Sequence, residues 1–120
     1  MLSILSKITE TDNAAAIKSK DNSGLLPLHI YLLKSKVNID VLSLLLTSYP
    51  ESARIEYPNN LLPLYVVLDK EDADFDVFKT LCKFHPEGVS TADSNGSLPL
   101  HVAINKKKHN LKIINQLLKR

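Results

Sequence analysis

The sequence predicts an all-α protein built as a solenoid of helix–turn–helix repeats, with three repeats and a leading half-repeat. A Leu-Pro-Leu motif recurs three times at a spacing of 36 residues. Turn-forming residues precede each motif, and apolar residues at helical spacing follow it. We assign one domain, 1–120, with a half-repeat at 1–20 and repeats near 21–56, 57–92 and 93–120.

The prediction of repeats rests on the alignment of the segments with one another. Residues 21–56 and 57–92 are identical at 11 of 36 positions. Residues 57–84 and 93–120 are identical at 8 of 28 positions. Both counts are far above what chance gives for segments of this length, so the chain is internally repetitive.

Each repeat opens with a turn. Gly24, Asn60 and Gly96 are equivalent positions, and these residue types tolerate a positive φ. A helix is expected directly after the turn, because proline is favoured at the first helical position, where no N–H is needed. The prolines are Pro27, Pro63 and Pro99, and the predicted first helices lie near 27–35, 63–70 and 99–106.

A second helix follows in each repeat. Asn38, Asp74 and Asn110 are equivalent, and their side chains suit a helix N-cap. The predicted second helices lie near 39–48, 74–84 and 110–119.

The second helices share an apolar stripe at positions i, i+3, i+6 and i+7, which is one helical face. Leu45, Leu81 and Leu117 hold the same position, which we expect to be buried. Leu5 and Ile8 align with the second helix of the first repeat, so residues 1–12 are expected to be the second helix of the half-repeat. The stripe consists of Ile39, Leu42, Leu45 and Leu46; Phe75, Phe78, Leu81 and Cys82; and Leu111, Ile114, Leu117 and Leu118.

These residues resemble the ankyrin repeat family, as a divergent variant with a Leu-Pro-Leu-His motif and a 36-residue period. The family opens its first helix with Thr-Pro-Leu-His and has a period of 33 residues. Leu26-Pro-Leu-His29 and Leu98-Pro-Leu-His101 match three of the four letters, and Asp21-Asn-Ser-Gly24 is similar to the family's finger turn. Leucine replaces threonine in every copy, and the middle finger, Tyr57-Pro-Asn-Asn60, lacks the aspartate and glycine.

A further departure from the family follows the second helix. Tyr49-Pro-Glu51 and His85-Pro-Glu87 stand where the family has a Gly-Ala pair. We expect an extra helical turn at both places, because proline opens a helical turn readily.

The resemblance implies a non-enzymatic scaffold or adaptor module that binds a protein partner through its finger turns and concave helix surface. The alternative is a small structural subunit built permanently into a larger multiprotein assembly. Fold alone does not name the partner. By family position, the expected contact residues are Asn22, Ser23, Leu25, Leu33, Lys34, Asn59, Leu61, Asp69, Lys70, Ser94, Asn95, Ser97, Asn105 and Lys106.

Leu25 and Leu61 allow two interpretations. Each precedes the helix motif, where an apolar side chain can anchor a partner at the mouth of the groove. Alternatively, the two leucines pack against each other within the fold.

The histidines and the cysteine do not form a catalytic or metal-binding pattern. His29 and His101 hold the same position two repeats apart, so we expect them to bond to neighbouring backbone. Cys82 and His85 are three residues apart, but a structural zinc site needs four ligands. Cys82 lies in the apolar stripe, and no phosphate-binding or nucleophile motif is present. We expect no enzymatic activity, no cofactor and no metal.

Charge is distributed unevenly along the chain. Residues 1–50 carry a net charge of +1, residues 51–93 of −5 and residues 94–120 of +6. A shift of 36 places Lys107, Lys108 and Lys112 beside Glu71, Asp72 and Asp76, which favours stacking of opposite charges between repeats. An acidic protein partner, or nucleic acid or an acidic membrane surface, would also be compatible with the basic C-terminal run.

Composition favours an intracellular protein, cytoplasmic or nuclear. The single cysteine, Cys82, cannot form an intrachain disulfide. Residues 1–7 lack the basic start and long apolar stretch of a signal peptide. No apolar run approaches membrane-spanning length, so we expect no membrane insertion.

Overall fold

Every described secondary-structure element is a helix. The computed structural model describes residues 15–119, and helix accounts for 56% of them, with no strand in that range. The predicted helix of the half-repeat, with Leu5 and Ile8, lies outside the described residues, as does Arg120. The all-α prediction is confirmed for the described part of the chain.

Six α-helices and two short 3₁₀ helices lie between residues 27 and 118. The second helices match the predicted ranges within a residue, whereas the first helices end one to three residues early. After the first of them, the N–H groups of Leu33 and Lys34 donate to carbonyls three residues back, so its last turn tightens to 3₁₀ geometry. The helices are α1 Pro27–Leu32, α2 Ile39–Ser48, α3 Pro63–Leu68, α4 Phe75–Phe84, α5 Pro99–Asn105 and α6 Leu111–Leu118; the 3₁₀ helices are Pro50–Arg54 and Pro86–Ser90.

Local chemistry sets these boundaries as predicted. α1, α3 and α5 each begin at a proline that follows a leucine in extended conformation. The Asn38 and Asp74 side chains each accept two backbone N–H groups of the first turn of α2 and α4, and the Asn110 side chain accepts the Ile113 N–H at the start of α6. These bonds satisfy donors that a helix start leaves open.

The extra helical turn after the second helix is confirmed. Residues 50–54 and 86–90 each form one 3₁₀ helix that opens with proline. Gly88 lies where the Leu64 side chain of α3 approaches the backbone, because an added Cβ would stand 2.4 Å from Leu64 Cδ2. A larger side chain at position 88 would therefore displace Leu64.

The three finger turns share one backbone conformation. Gly24, Asn60 and Gly96 have φ values of 81°, 67° and 80°. Each finger spans five residues: 21–25, 57–61 and 93–97. The N–H of its first residue donates to the carbonyl of its fifth residue, at 2.8–2.9 Å. The middle finger adopts this geometry without the aspartate and glycine, since asparagine also tolerates the left-handed region.

The helices pack in two rows. α1, α3 and α5 contact one another in order, and so do α2, α4 and α6, while each first helix also contacts the second helix of its own pair. The hydrophobic core lies between the rows, around Leu42, Leu68 and Phe78. The molecule measures 43 × 26 × 25 Å, with its long dimension well above the other two.

The predicted apolar stripe is only partly correct. In α6, Leu111 and Leu118 are 77% and 63% exposed, whereas Ile113 and Leu117 are buried. Leu45 is half-buried, unlike Leu81 and Leu117. The physical reason for the exposed pair in α6 is its position: among residues 15–119, α4 has a second helix on each side, whereas α6 has one on one side only.

Candidate protein-binding surface

The outer fingers, residues 21–25 and 93–97, are held by an aspartate. Asp21 Oδ1 accepts the backbone N–H groups of residues 23 and 25, at 2.8 and 3.0 Å. Asp93 Oδ1 accepts those of residues 95 and 97, both at 2.9 Å. The aspartates therefore rigidify both turns, and the side chains at the finger tips remain exposed. The exposed predicted contact residues at the tips are Asn22, Ser23, Ser94 and Asn95.

The middle finger, residues 57–61, is held differently. Tyr57 is buried, and its hydroxyl donates to the His29 carbonyl at 2.8 Å. Its ring packs on the His29 imidazole with centroids 4.1 Å apart, and burial raises the pKa of the Tyr57 phenol. Asn59 is exposed, and its Oδ1 accepts the Leu61 N–H at 3.3 Å. The Asn59 bond within the turn and the Tyr57 contacts to the preceding helix pair together take the place of the aspartate bonds.

The side chain at the last position of the Leu-Pro-Leu-His motif connects successive helix pairs by a hydrogen bond. His29 Nδ1 accepts the Leu26 N–H at 3.1 Å, and His29 Nε2 lies 3.0 Å from the Ile55 carbonyl oxygen. In the next pair the Tyr65 hydroxyl donates to the equivalent carbonyl, that of Thr91, at 2.6 Å. Burial, and then the charge of Asp93, raise the pKa of Tyr65 to about 12. The predicted backbone-bonding role of His29 is confirmed.

An open groove brings five predicted contact residues together. It has a volume of about 800 Å³ and lies between the third finger and α5, beside the end of α3. Val102 and Ile104 add apolar surface to its wall. The predicted residues that line the groove are Asp69, Asn95, Ser97, Asn105 and Lys106.

Two of the predicted contact lysines also bind the neighbouring helix pair. The Lys70 ammonium donates to the Lys34 carbonyl at 2.7 Å. The Lys106 ammonium donates to the Leu68 carbonyl at 2.7 Å and to the Lys70 carbonyl. Burial lowers the pKa of Lys70. These ammonium groups neutralise the carbonyl end of the preceding first helix, where a cation is favourable.

The predicted leucines lie in different surroundings. Leu61 is half-buried and packs against the core, while Leu25 is half-buried at the first finger. Leu33 is 55% exposed at the end of α1, next to the exposed Lys34. The choice between a partner anchor and internal packing at Leu25 and Leu61 stays a prediction.

Sequence reasoning missed one row of apolar residues. Ile30, Val66 and Val102 hold the same position in α1, α3 and α5, with Ile30 exposed and the other two half-buried. Ile30 and Val66 directly follow His29 and Tyr65, which are buried, but their own side chains lie outside the buried face of the helix. An aliphatic residue recurring every 36 residues, off that face, was the signal that could have found them.

Cys82 and His85 remain separate from any larger cluster. Cys82 is buried, and burial raises the pKa of its thiol to about 11. His85 Nδ1 lies 3.3 Å from Glu87 Oε1, and the Glu87 carboxylate is exposed. From residue 15 to residue 119, no three His, Cys, Asp or Glu side chains are placed to hold a metal ion.

One of the predicted charge pairs between repeats forms. Lys108 Nζ lies 3.4 Å from Asp72 Oδ1, and these side chains are 81% and 86% exposed. The predicted pairs Lys107–Glu71 and Lys112–Asp76 are not ion pairs in the described part of the chain. Beside them, the Asn110 amide donates to the Ala73 carbonyl at 3.0 Å, so the loops contact through backbone as well as charge.

Comparison of the chain with protein-family models, curated proteins and solved structures finds no match. Among the described helices, none is long and apolar enough to cross a membrane.

Proposed function

We propose that the chain is an ankyrin-like repeat solenoid that binds a protein partner without catalysis, through its finger turns and concave helix surface. The observation that carries the proposal is the groove beside the third finger. It joins residues of the third finger with residues at the end of α5 and with Asp69 at the end of α3, which precedes the finger by more than 20 residues in sequence. In this proposal a partner segment lies along the groove and contacts both sets.

The chemistry of the groove suits a polypeptide. Asn95 and Asn105 offer amide groups that can pair with a partner's backbone or side chains. Val102 and Ile104 offer apolar contact area, and Asp69 and Lys106 supply opposite charges. Mixed polar and apolar walls of this kind are typical of protein interfaces.

Rigid fingers favour binding. The bonds of Asp21 and Asp93 to their own turns are formed within the chain, without a partner. Less conformational entropy is then lost on association, which raises affinity. The middle finger is restrained without a partner too, through the bond of the Tyr57 hydroxyl to the His29 carbonyl.

Substitutions in the groove test this proposal. A pull-down from the native source identifies the bound chain, and titration calorimetry then measures its affinity for three proteins. These are the unchanged chain, the double variant Asn95→Ala/Asn105→Ala, and the matched control Asn115→Ala, whose exposed site lies on α6 outside the groove. We expect the double variant to lose about tenfold or more in affinity. Equal affinity for the double variant and the control would remove the groove from the proposal.

The two leucines can be tested in the same assay. Leu61 packs against the core, so Leu61→Ser is expected to lower the melting temperature. Leu25 lies outside that cluster, so Leu25→Ser is expected to leave folding nearly intact. If Leu25→Ser melts normally and binds the partner as tightly as before, Leu25 is not an anchor.

A structural subunit is the second candidate, and the exposed leucines of α6 favour it. Leu111 and Leu118 leave an apolar face open at one end of the molecule. A subunit that is buried in an assembly should aggregate or fold poorly when it is purified alone. Sedimentation velocity of the isolated chain checks this: a single monomeric species with cooperative unfolding would favour the independent module.

A further inference from the structure

Three sets of equivalent positions are buried in the first two helix pairs and exposed in the last pair. Leu32 and Leu68 are 0% and 1% exposed, whereas Ile104, at the same position, is 52% exposed. In each of the first two pairs, the first helix that carries this side chain contacts the first helix of the pair that follows. We name the surface formed by Leu98, His101, Ile104 and Leu118 the C-terminal edge. The same trend runs through Leu26, Leu62 and Leu98, and through Leu46, Cys82 and Leu118.

The His101 imidazole lies on the same edge and is oriented as the imidazole of His29 is, through the same local hydrogen bond. His101 Nδ1 accepts the Leu98 N–H at 2.9 Å, as His29 Nδ1 accepts the Leu26 N–H. An accepting Nδ1 places the ring proton on Nε2. In His29, Nε2 faces the Ile55 carbonyl of the next segment. In His101, Nε2 has no hydrogen-bond partner within residues 15–119.

We propose that the C-terminal edge binds a helix–turn–helix unit of the same construction as the chain's own middle unit, residues 49–84. In this complex His101 Nε2 donates to a main-chain carbonyl at the position of Ile55, and the unit covers Ile104 and Leu118. The inference goes beyond the proposed function, because it concerns a second surface that includes Leu98 and Leu118, which lie outside the groove. The two surfaces adjoin, since His101 and Ile104 also line the groove.

The existing junctions argue for this occupant. The junction of the first and second helix pairs and that of the second and third use the same hydrogen-bonding position, filled by His29 and then by Tyr65. The C-terminal edge continues this surface with the same residue types, including a second histidine. A single peptide helix could cover Leu118 but would not supply the extended segment whose carbonyl these rings bind.

The charge of the C-terminal edge favours a unit as acidic as the middle unit, residues 49–84. Residues 94–120 carry six basic and no acidic residues, and residues 49–84 carry seven acidic and four basic ones. The same two signs already meet at the second junction, through Lys108 and Asp72. A basic edge therefore favours an acidic unit over a basic one.

The test appends a copy of residues 49–84 behind Arg120 of the full chain. Ser48 and Arg120 are separated by two full periods, so the copy continues the register and its Ile55 falls opposite His101. We expect the extended chain to melt about 5 °C or more above a control chain that carries a Gly/Ser tail of equal length, because a new junction adds stability. Equal melting temperatures would overturn the proposal.

His101 supplies the specific readout. His101→Ala should lower the melting temperature more in the extended chain than in the unextended chain, where only the bond to Leu98 is lost. His101→Tyr should retain stability in the extended chain, because tyrosine makes this contact at position 65. Equal effects of His101→Ala in both chains would overturn the role of Nε2.

Sedimentation velocity of the unextended chain decides between occupants. A monomer agrees with the proposal. A dimer that Leu118→Glu converts to a monomer would show that a second copy of the chain occupies the edge, and would overturn the choice of a separate acidic unit.

Discussion

His29 and Tyr65 do the same structural work with different chemistry. Both lie in the third position of a first helix, and both reach a carbonyl of the segment that follows a second helix. The imidazole must stay neutral to do so, because Nδ1 accepts a backbone N–H while Nε2 carries the proton. Burial lowers the pKa of His29, which opposes protonation in the folded state.

We expect this histidine to make folding pH-dependent. Unfolded His29 takes up a proton near pH 6.5, whereas the folded protein resists it, so stability falls as the pH drops below about 6.5. One such group changes the free energy of unfolding by at most about 1.4 kcal/mol per pH unit. Melting temperatures between pH 5.5 and 8 measure the effect.

His29→Tyr is the control for this expectation, since tyrosine stands at the equivalent position 65. The variant should fold and show a shallower decline toward pH 5.5. A slope equal to that of the unchanged chain would assign the pH dependence to other groups.

At the scale of elements, lysines connect the end of one first helix to the end of the next. Lys70 and Lys106 each donate to backbone carbonyls of the preceding helix pair. A first helix of six or seven residues has few internal hydrogen bonds, so its last carbonyls need partners from elsewhere. These ammonium groups supply them across the junction.

Replacement of Lys106 should reveal this contribution. Lys106→Met keeps most of the aliphatic stem but removes two hydrogen bonds, and we expect it to lower the free energy of unfolding by about 1–2 kcal/mol. Lys107→Met is the matched control, because Lys107 is exposed and has no carbonyl partner within residues 15–119. Urea unfolding compares the two, and equal losses would contradict the role of Lys106.

The loop ion pair is a weaker connection between the same elements. Lys108 and Asp72 are both largely exposed, and exposed pairs contribute well under about 1 kcal/mol. Asp72→Lys should therefore lower stability slightly at low salt, and the difference should vanish at about 1 M salt, where charges are screened. An effect that persists at high salt would have a cause other than charge.

At the scale of the whole molecule, position along the stack of helix pairs decides how strongly a side chain is buried. Leu45, Leu81 and Leu117 are equivalent in sequence, but only Leu81 lies on a helix with a second helix packed on each side in the described structure. Its exposed fraction is 1%, against 7% for Leu117, and Leu45 is only half-buried.

Truncation of these leucines should give a graded response. Leu81→Ala is expected to cost about 2–5 kcal/mol, as in a packed core, and Leu45→Ala clearly less. Leu117→Ala should fall between them. Chemical denaturation of the three variants measures the order; equal losses at positions 45 and 81 would contradict the dependence on flanking helices.

Features that depend on neighbours along the chain could be read from the sequence. A proline starts a helix because its ring fixes φ, and Asn38 caps one because its side chain reaches the N–H groups two and three residues later. The positive φ at Asn60 follows from backbone sterics in the same way. The all-α class, the helix starts and the extra turns were therefore predictable.

Features that depend on what lies across a junction were decided only by the tertiary structure. Leu46 and Leu118 have the same place in the periodic pattern, yet one is buried and the other exposed. From its residue type alone, Lys106 is expected at the surface. Its long side chain instead places the ammonium against carbonyls 36 and 38 residues earlier in the chain. A repeating sequence specifies the same local structure in each unit, whereas burial and long-range bonds depend on the next unit in space.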